Sequence, residues 1–316
     1  MSQRGEFVSG MNVFDARTIF ADLAPVVLYN EALSRHTTMR IGGPADALAI
    51  PETIEQVEAL VHTAKSRGVP IFILGRGSNL LVRDGGIRGL VIKLGDAFSK
   101  LTVEGRELTV FAGRTIVSTA HVAMKNGLAG LEFAAGIPGT VGGAVVMNAG
   151  AHGGEMKDVI RAVQVLTSNG LIETRSVEAL QFGYRTSSLR DSGDVVLGAV
   201  FRLAPGDTAE MQQKVKAWNV RRQATQPLSY PSCGSVFRNP AGDFAARLIE
   251  AAGLKGERIG GAMISELHAN FIVNLGGASA ADVISLMTCA RARVRDEFGV
   301  ELVPEVRVVG EDGARG

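Results

Sequence analysis

The sequence has few of the features that mark disulfide-rich, metal-binding, secreted or membrane proteins. Its 316 residues include only two cysteines, Cys233 and Cys289, which is too few for a disulfide framework or, at this spacing, a metal site. The first residues, MSQRGEF, contain an acid and no apolar core, so they do not form a secretory signal. No apolar run approaches the length that spans a bilayer. We therefore expect a cytoplasmic protein with no bound metal.

The sequence also has almost equal numbers of positive and negative side chains, and few aromatic ones. Lys and Arg number 33 against 32 Asp and Glu, so the net charge of +1 gives no reason to expect nucleic acid or a membrane as partner. Aromatic residues make up 5% of the chain, whereas glycine occurs 39 times. This combination favours binding loops built from the backbone. We expect a small-molecule ligand, a monomer, and two or three domains for a chain of this length.

Glycine is concentrated in the segment 133–153, FAAGIPGTVGGAVVMNAGAHG. Five glycines and no charged residue lie between Gly136 and Gly150. The backbone amides of such a segment can hold a pyrophosphate, because glycine lets a ligand approach the main chain. The alternative is a buried crossover loop whose glycines serve tight turns. A second glycine-rich loop at 75–80 makes us favour phosphate binding.

The second loop, Gly75-Arg-Gly-Ser-Asn-Leu80, follows a predicted buried strand. It nearly matches the dinucleotide fingerprint G-x-G-x-x-G, but Leu80 replaces the third glycine and no helix pattern follows. No acid stands where a ribose ligand is required, since Asp96 is only a weak candidate. These differences exclude a Rossmann nicotinamide site.

Periodicity and capping residues predict an α+β protein. A Thr53–Gln56 capping box begins one helix, and Trp218 is interpreted as a core anchor of another. Predicted helices follow Pro51 and occupy 115–126, 207–224, 244–252 and 279–298. Predicted strands occupy 45–50, 69–74, 87–94, 195–203, 235–238, 270–274 and 301–309, with hairpins at 101–111 and 163–175. The predicted divisions are a loosely held leader (1–24, with Met11 a possible second start), two units at 25–97 and 98–206, a third unit at 207–302, and a final strand at 303–316.

With both loops placed, the chain resembles the UDP-N-acetylenolpyruvoylglucosamine reductase family. The motifs that carry the resemblance are Gly75–Leu80, Gly136–Ala144 with Asn148-Ala-Gly150, Gly183-Tyr-Arg-Thr-Ser187 with Arg190, Gly234-Ser-Val-Phe-Arg-Asn-Pro240, and Pro304-Glu-Val-Arg307. They span most of the chain in the family's order. Arg238 stands where the family usually has lysine, which leaves open the group that it contacts.

The resemblance implies an FAD-binding fold of the vanillyl-alcohol-oxidase kind, in two FAD-binding subdomains (25–97 and 98–206). It further implies an α+β substrate-binding domain (207–302) and a C-terminal strand (303–316) that returns near the active site. It also implies non-covalent FAD and NADPH as co-substrate. The implied reaction reduces the enolpyruvyl ether of UDP-N-acetylglucosamine to UDP-N-acetylmuramate, in peptidoglycan precursor synthesis. The short connection after Arg185 is similar to the family's second type, which lacks an extra loop over the substrate.

The resemblance assigns roles to individual residues. The implied catalytic residues are Arg185, which pairs with the substrate carboxylate, Ser235 as proton donor, and Glu305, whose pKa we expect to be raised by burial and like charge. Implied substrate contacts are Tyr184, Arg190, Arg238, Asn239 and Arg307. Implied cofactor contacts are Gly75, Arg76, Gly77, Ser78, Asn79, Leu80, Ile137, Pro138, Gly139, Thr140, Gly142 and Gly143. Asn148, Gly150 and Ala151, in the segment Asn148 to Ala151, are weaker candidates, as is Met39 to Gly43.

Several alternatives stay open. A flavin oxidase acting on an alcohol or sugar could share this scaffold, and a non-catalytic nucleotide-binding regulator is a second possibility. Cys233 is a rival proton donor, although we interpret it as a small buried packing residue. His268 is at least as well explained as a core histidine. His36 stands where some oxidases of the wider fold tether flavin, but we expect no tether.

Overall fold

Residues 13–23 and 27–313 are described in the computed structural model of the protein, and they fold around three main sheets. The first sheet is mixed, with the strand order β1-β2-β5-β3. The elements of this first unit are α1 (Val13–Ile19), β1 (Val27–Ala32), β2 (Pro44–Ala49), α2 (Ile54–Ser66), β3 (Ile71–Leu74), β4 (Leu80–Val82) and β5 (Ile87–Lys93). Strands β2, β3 and β5 confirm three predicted strands. They are parallel to one another, whereas β1 is antiparallel to β2.

The start of the first unit differs from the sequence-based expectation. Ala16 and Phe20 are completely buried in the largest apolar core, so the loosely held leader was wrong for residues 13–23. Its other part, residues 1–12 with Met11 and residue 24, lies outside the described residues. Strand β1 was not predicted, because the polar Asn30, with φ of +54°, and Glu31 interrupt its apolar pattern.

Helix α2 begins as predicted at Thr53, whose hydroxyl accepts the N–H of Gln56 at 3.3 Å. The Gln56 side chain, however, accepts the N–H of Glu52 at 2.7 Å and not that of Thr53. The predicted capping box therefore forms only in its first half.

The second sheet is antiparallel and has the order β12-β11-β13-β7-β6. The second unit comprises β6 (Leu101–Glu104), β7 (Glu107–Phe111), α3 (Ile116–Lys125), β8 (Leu128–Ala129), α4 (Val141–Val146), β9 (Gly150–Ala151), β10 (Gly154–Glu155), β11 (Ile160–Leu166), β12 (Ile172–Ser176), β13 (Val195–Arg202) and β14 (Ala204–Pro205). Both predicted hairpins are confirmed, with Gly105 and Gly170 in the left-handed conformation at their turns. Helix α4 lies inside the glycine-rich segment, which the sequence analysis treated as a loop.

The third sheet has the order β15-β18-β17-β16. Its unit comprises α5 (Thr208–Thr225), β15 (Ser232–Ser235), α6 (Ala245–Ala251), β16 (Arg258–Ile259), β17 (Ala262–Ile264), β18 (Phe271–Asn274), α7 (Ala280–Phe298) and β19 (Arg307–Val309). Helix α7 confirms the prediction: Ser279 and Asp282 form a capping box, and the apolar face with Val283 and Leu286 is buried. The hairpin of β16 and β17 was not predicted.

Strand β15 ends at Ser235, whereas the sequence predicted a strand over 235–238. After β15, two successive backbone N–H groups donate to Asn270. Val236 donates to the Asn270 carbonyl and Phe237 donates to the Asn270 side chain, each at 2.9 Å. Gly234 has φ of +79°, which bends the strand before this point.

The end of the chain returns to the first unit. Strand β19 pairs in parallel with β4, with Arg307 opposite Leu80. Pro304 lies before this strand in an isolated bridge with Phe237, so the predicted strand 301–309 is reduced to its last part. The residues of the predicted segment 303–316 are described as far as 313.

Packing joins the third unit to the first. Met39, Ile41 and Leu81 of the first unit belong to the apolar core of the third. The Asp84 carboxylate also accepts the N–H groups of Ala280 and Ala281, at 2.8 and 3.1 Å, at the start of α7. The fold is α+β, as predicted. In the described part of the chain, every helix is too short or too polar to cross a bilayer.

Candidate active site

A cavity of about 900 Å³ lies where the three units meet. Its size is within the range of roughly 300–1,000 Å³ that is typical of ligand pockets. The first unit contributes the loop after β3, the second contributes the segment around α4 and the turn that holds Arg185, and the third contributes α5 and β15. Glu305 and Arg307 reach the same cavity through the pairing of β19 with β4.

The two glycine-rich loops contact each other along the cavity. The Ser78 hydroxyl donates to the carbonyl of Pro138 at 2.9 Å. A Cβ atom on Gly75 would lie 2.5 Å from the Thr140 hydroxyl oxygen, so a side chain at position 75 would force the loops apart. A Cβ on Gly143 would meet no other residue closer than 3.6 Å. These side-chain-free surfaces fit a cofactor whose phosphates bind to backbone N–H groups.

Most residues predicted to bind the cofactor line this cavity. They are Gly75, Arg76, Gly77, Ser78, Asn79, Leu80, Ile137, Pro138, Gly139, Thr140, Gly142, Gly143, Gly150 and Ala151. Asn148 does not, because its side chain is completely buried among hydrogen-bond partners. Of the first unit's 38–43 segment, Thr38 lines the cavity, whereas the weaker candidates Met39 and Ile41 lie in the core.

The three predicted catalytic residues, which are far apart in sequence, all line the cavity. Arg185 and Glu305 form an ion pair, with 2.9 Å between Nε and Oε1. The Nε–H of Arg185 does not point at an acceptor, so this contact is electrostatic and not a well-aligned hydrogen bond. Arg185 has φ of +56°, a conformation that non-glycine residues hold only where the surroundings impose it.

The backbone of Glu305 is held from two sides. Its carbonyl accepts a hydrogen bond from the Asn79 side chain at 3.2 Å, and its N–H donates to the carbonyl of Val236 at 2.8 Å. Asn79 belongs to a loop predicted to bind the cofactor, and Val236 follows Ser235. Glu305 is therefore placed by the same two segments that would hold the cofactor and the proton donor.

Burial raises the pKa of the Glu305 carboxyl, against the opposing effect of Arg185 and Arg238. The predicted direction is confirmed. The predicted contribution of like charge comes from the substrate carboxylate and stays a prediction. A raised pKa favours the protonated carboxyl, which can donate a hydrogen bond.

Cys233 lines the cavity but is almost completely buried in the apolar core, as predicted, and burial raises the pKa of its thiol to about 12. A thiol with this pKa is a weaker acid than an ordinary cysteine at neutral pH. The hydroxyl of Ser235 has no hydrogen-bond partner among the described residues, so it is free to contact a ligand.

The predicted substrate contacts divide into two groups. Arg190 and Arg307 line the cavity. Tyr184, Arg238 and Asn239 are not on its surface: the Tyr184 ring is exposed with the Arg185 guanidinium 5.5 Å from its centre, and the Asn239 side chain accepts the N–H of Ala245 at the start of α6. Their contact with substrate stays a prediction.

Helix α5 forms a wall of the cavity that was not predicted from the sequence. Trp218, interpreted as a core anchor, is only partly buried there and stacks on His152, with 4.1 Å between ring centres and 2° between planes. Arg222 donates to the carbonyl of Gly136 and, at 2.9 Å, to the side chain of Gln226. The available signal was the mostly polar composition of α5, TAEMQQKVKAWNVRRQAT, in which the structure buries Met211 and Val215.

The other two histidines considered have protein contacts. His36 lies with its ring nitrogens 3.1 Å from Glu31 and 2.9 Å from Lys93. His268 is half-buried against the edge of Phe271, with 4.7 Å between ring centres, and accepts the N–H of Asn270. Neither residue lines the cavity.

Comparison with known proteins agrees with this architecture. Residues 45–176 match the family described as FAD binding domain, and residues 226–309 match the one described as UDP-N-acetylenolpyruvoylglucosamine reductase, C-terminal domain. The reductase of this name from Alkaliphilus oremlandii is 46% identical over 91% of this chain and 94% of its own length. The one from Latilactobacillus sakei is 48% identical over 89% and 93%.

A solved structure is similar over nearly the same extent. The crystal structure of UDP-N-acetylenolpyruvylglucosamine reductase from Thermus caldophilus is 40% identical, with a TM-score of 0.77, over 88% of this chain and 97% of that one. The similarity thus includes the FAD-binding part and the third unit together. The chain belongs to the UDP-N-acetylenolpyruvoylglucosamine reductase family.

Proposed function

We propose that this protein uses NADPH and non-covalently bound FAD to reduce the enolpyruvyl ether of UDP-N-acetylglucosamine to UDP-N-acetylmuramate, in peptidoglycan precursor synthesis. The observation that carries the proposal is the Arg185–Glu305 ion pair, which lies in one cavity with Ser235 and both glycine-rich loops. Membership of the reductase family supports the same substrate and cofactors.

The chain's own residues bind and orient the reactants. The backbone N–H groups of 75–80 and 137–143 would hold the FAD pyrophosphate, since the glycines of both segments let a ligand approach the main chain. When bound, FAD supplies the transfer of a hydride from NADPH to the methylene carbon of the enolpyruvyl ether. Arg190 and Arg307, on the cavity surface, would bind the negatively charged groups of the substrate.

Negative charge develops on the carbon next to the substrate carboxylate and on the carboxylate itself. The Arg185 guanidinium stabilises this charge by pairing with the carboxylate. Burial raises the pKa of Glu305, and in its protonated form this carboxyl would donate a hydrogen bond to the same group. The Ser235 hydroxyl gives its proton to the carbon, which is far more basic than ordinary oxygen bases, and recovers a proton from water afterwards.

The proposal includes a cytoplasmic monomer that takes small molecules and contacts neither nucleic acid nor a membrane. Two free cysteines and the net charge of +1 support this part. The short course from Arg185 to α5, through β13 and β14 only, supports the family's second type.

The test is an anaerobic reduction of the purified holoenzyme with NADPH, followed by one of two additions. The enolpyruvyl substrate should restore the flavin absorbance rapidly in the absence of oxygen, with UDP-N-acetylmuramate as product. Rapid recovery with oxygen alone and no response to the enolpyruvyl compound would show an oxidase and reject the proposal.

A further inference from the structure

Asn148 was predicted to bind the cofactor, yet its side chain forms hydrogen bonds within the protein. The residue is completely buried and has φ of +42°, in the left-handed region. Its neighbours Met147 and Ala149 line the cavity, whereas the Asn148 amide points away from it, into the second unit.

The amide has three protein partners. Its Nδ2 donates to the Gly183 carbonyl at 3.0 Å and to the Glu155 carboxylate at 2.6 Å, while Oδ1 accepts the N–H of Lys157 at 3.0 Å. Two partners are acceptors and one is a donor, so only this orientation of the amide satisfies all three. Both N–H donors of the amide are used by the protein, and the remaining lone pair of Oδ1 is buried with the rest of the side chain.

Gly183 begins the turn that presents Arg185. The N–H of Gly183 donates to the carbonyl of Thr186 at 3.0 Å, and the N–H of Thr186 donates back at 3.3 Å. Ser187, at the end of the turn, donates its hydroxyl to the Val146 carbonyl at 2.8 Å. The C-terminal end of α4 therefore holds both ends of the turn, one through Asn148 and the other through Val146.

The same short helix begins in the cofactor loop. Thr140 and Gly143, at its N-terminal end, line the cavity. Helix α4 thus links the loop that would hold the cofactor to the turn that holds the Arg185 guanidinium against Glu305. This link adds to the two hydrogen bonds between Gly183 and Thr186 that close the turn around Arg185, whose backbone is in the left-handed conformation.

We propose that Asn148 is a positioning residue for Arg185 and not a cofactor ligand. It sets the place of the guanidinium relative to the cofactor loop. The inference rests on the proposed function, in which Arg185 acts only in the second half-reaction. Loss of Asn148 should therefore slow that half-reaction and leave FAD binding and reduction by NADPH unchanged.

The test uses three variants of the full-length holoenzyme. Asn148→Asp keeps the shape, tolerates the left-handed backbone and retains the acceptor for Lys157, but removes both donated bonds. Ser187→Ala removes the second attachment of the turn without touching Asn148. The matched control, Glu155→Gln, leaves an acceptor for the Asn148 amide and does not alter its bond to Gly183.

FAD affinity of the apoprotein and the two half-reactions are measured separately by anaerobic stopped-flow absorbance. In Asn148→Asp, reoxidation by the enolpyruvyl substrate should fall about 100-fold, as expected for a misplaced catalytic group. Ser187→Ala should show the same selective loss to a smaller extent, and the control should behave like the wild type. If Asn148→Asp does not fold, Ser187→Ala and Asn148→Gly decide the question.

Three outcomes would overturn the inference. Weakened FAD binding with normal rates in the loaded enzyme would make Asn148 a cofactor ligand, as the sequence suggested. An equal loss in both half-reactions would indicate a general structural role, and unchanged rates would indicate none. A wild-type enzyme that is not reoxidised by substrate would instead reject the proposed function, so the two failures are distinguishable.

Discussion

Replacement of Ser235 by alanine should slow the reaction and leave the stability of the fold almost unchanged. Ser235 ends β15, and its hydroxyl has no hydrogen-bond partner among the described residues. Its removal therefore leaves no buried donor or acceptor without a partner. The free energy of unfolding should change by less than about 0.5 kcal/mol, as for substitutions away from buried networks.

The catalytic effect should be much larger. A positioned general acid contributes about 10²–10⁴-fold to a rate. At about 1.36 kcal/mol for each factor of ten, this corresponds to roughly 3–6 kcal/mol of transition-state stabilisation. Reduction of the flavin by NADPH needs no proton from Ser235, so the loss should be confined to the second half-reaction.

The assay is anaerobic stopped-flow absorbance of the Ser235→Ala holoenzyme, with the unfolding free energy measured in urea. The control is Cys233→Ala on the same strand, which should retain both half-reactions because the buried thiol of Cys233 packs in the core. Equal losses in both half-reactions of Ser235→Ala, or loss of the second half-reaction in the cysteine variant alone, would refute the assignment of Ser235 as proton donor.

Two further predictions concern stability. Burial raises the pKa of Glu305 above its usual value of 4.5, so the folded state retains this proton at a pH where the unfolded state has lost it. The free energy of unfolding should therefore fall as the pH rises from 4.5 through the raised pKa. Glu305→Gln should lack this fall, and parallel curves of unfolding free energy against pH for the two proteins would contradict the reasoning. Phe20→Ala should lower the free energy of unfolding by about 3–5 kcal/mol, since the ring is completely buried. If urea unfolding shows a change near zero, residues 13–23 are the loosely held leader that the sequence predicted.

Local signals in the sequence were sufficient for most of the longer helices and strands, but not for β1, α4 or the hairpin of β16 and β17. The capping box of Ser279 and the apolar spacing of Val283, Leu286 and Val294 predicted α7, and turn glycines predicted both hairpins. Such features depend on interactions between residues near in sequence. The two glycine-rich loops were likewise recognised from composition, and the structure places them in contact along one cavity.

The sequence by itself determined the α+β class, the family and the two glycine-rich loops of the cavity. Tertiary structure alone decided that Arg185 pairs with Glu305 and that the Asn148 side chain faces away from the cavity. It also decided that Trp218 stacks on His152 at the wall of the cavity. These arrangements depend on contacts between distant segments, such as the parallel pairing of β19 with β4, which no periodicity or cap encodes. A motif identifies a side chain by its place in the chain, whereas its direction and its charged neighbours are set by the packing of the three units.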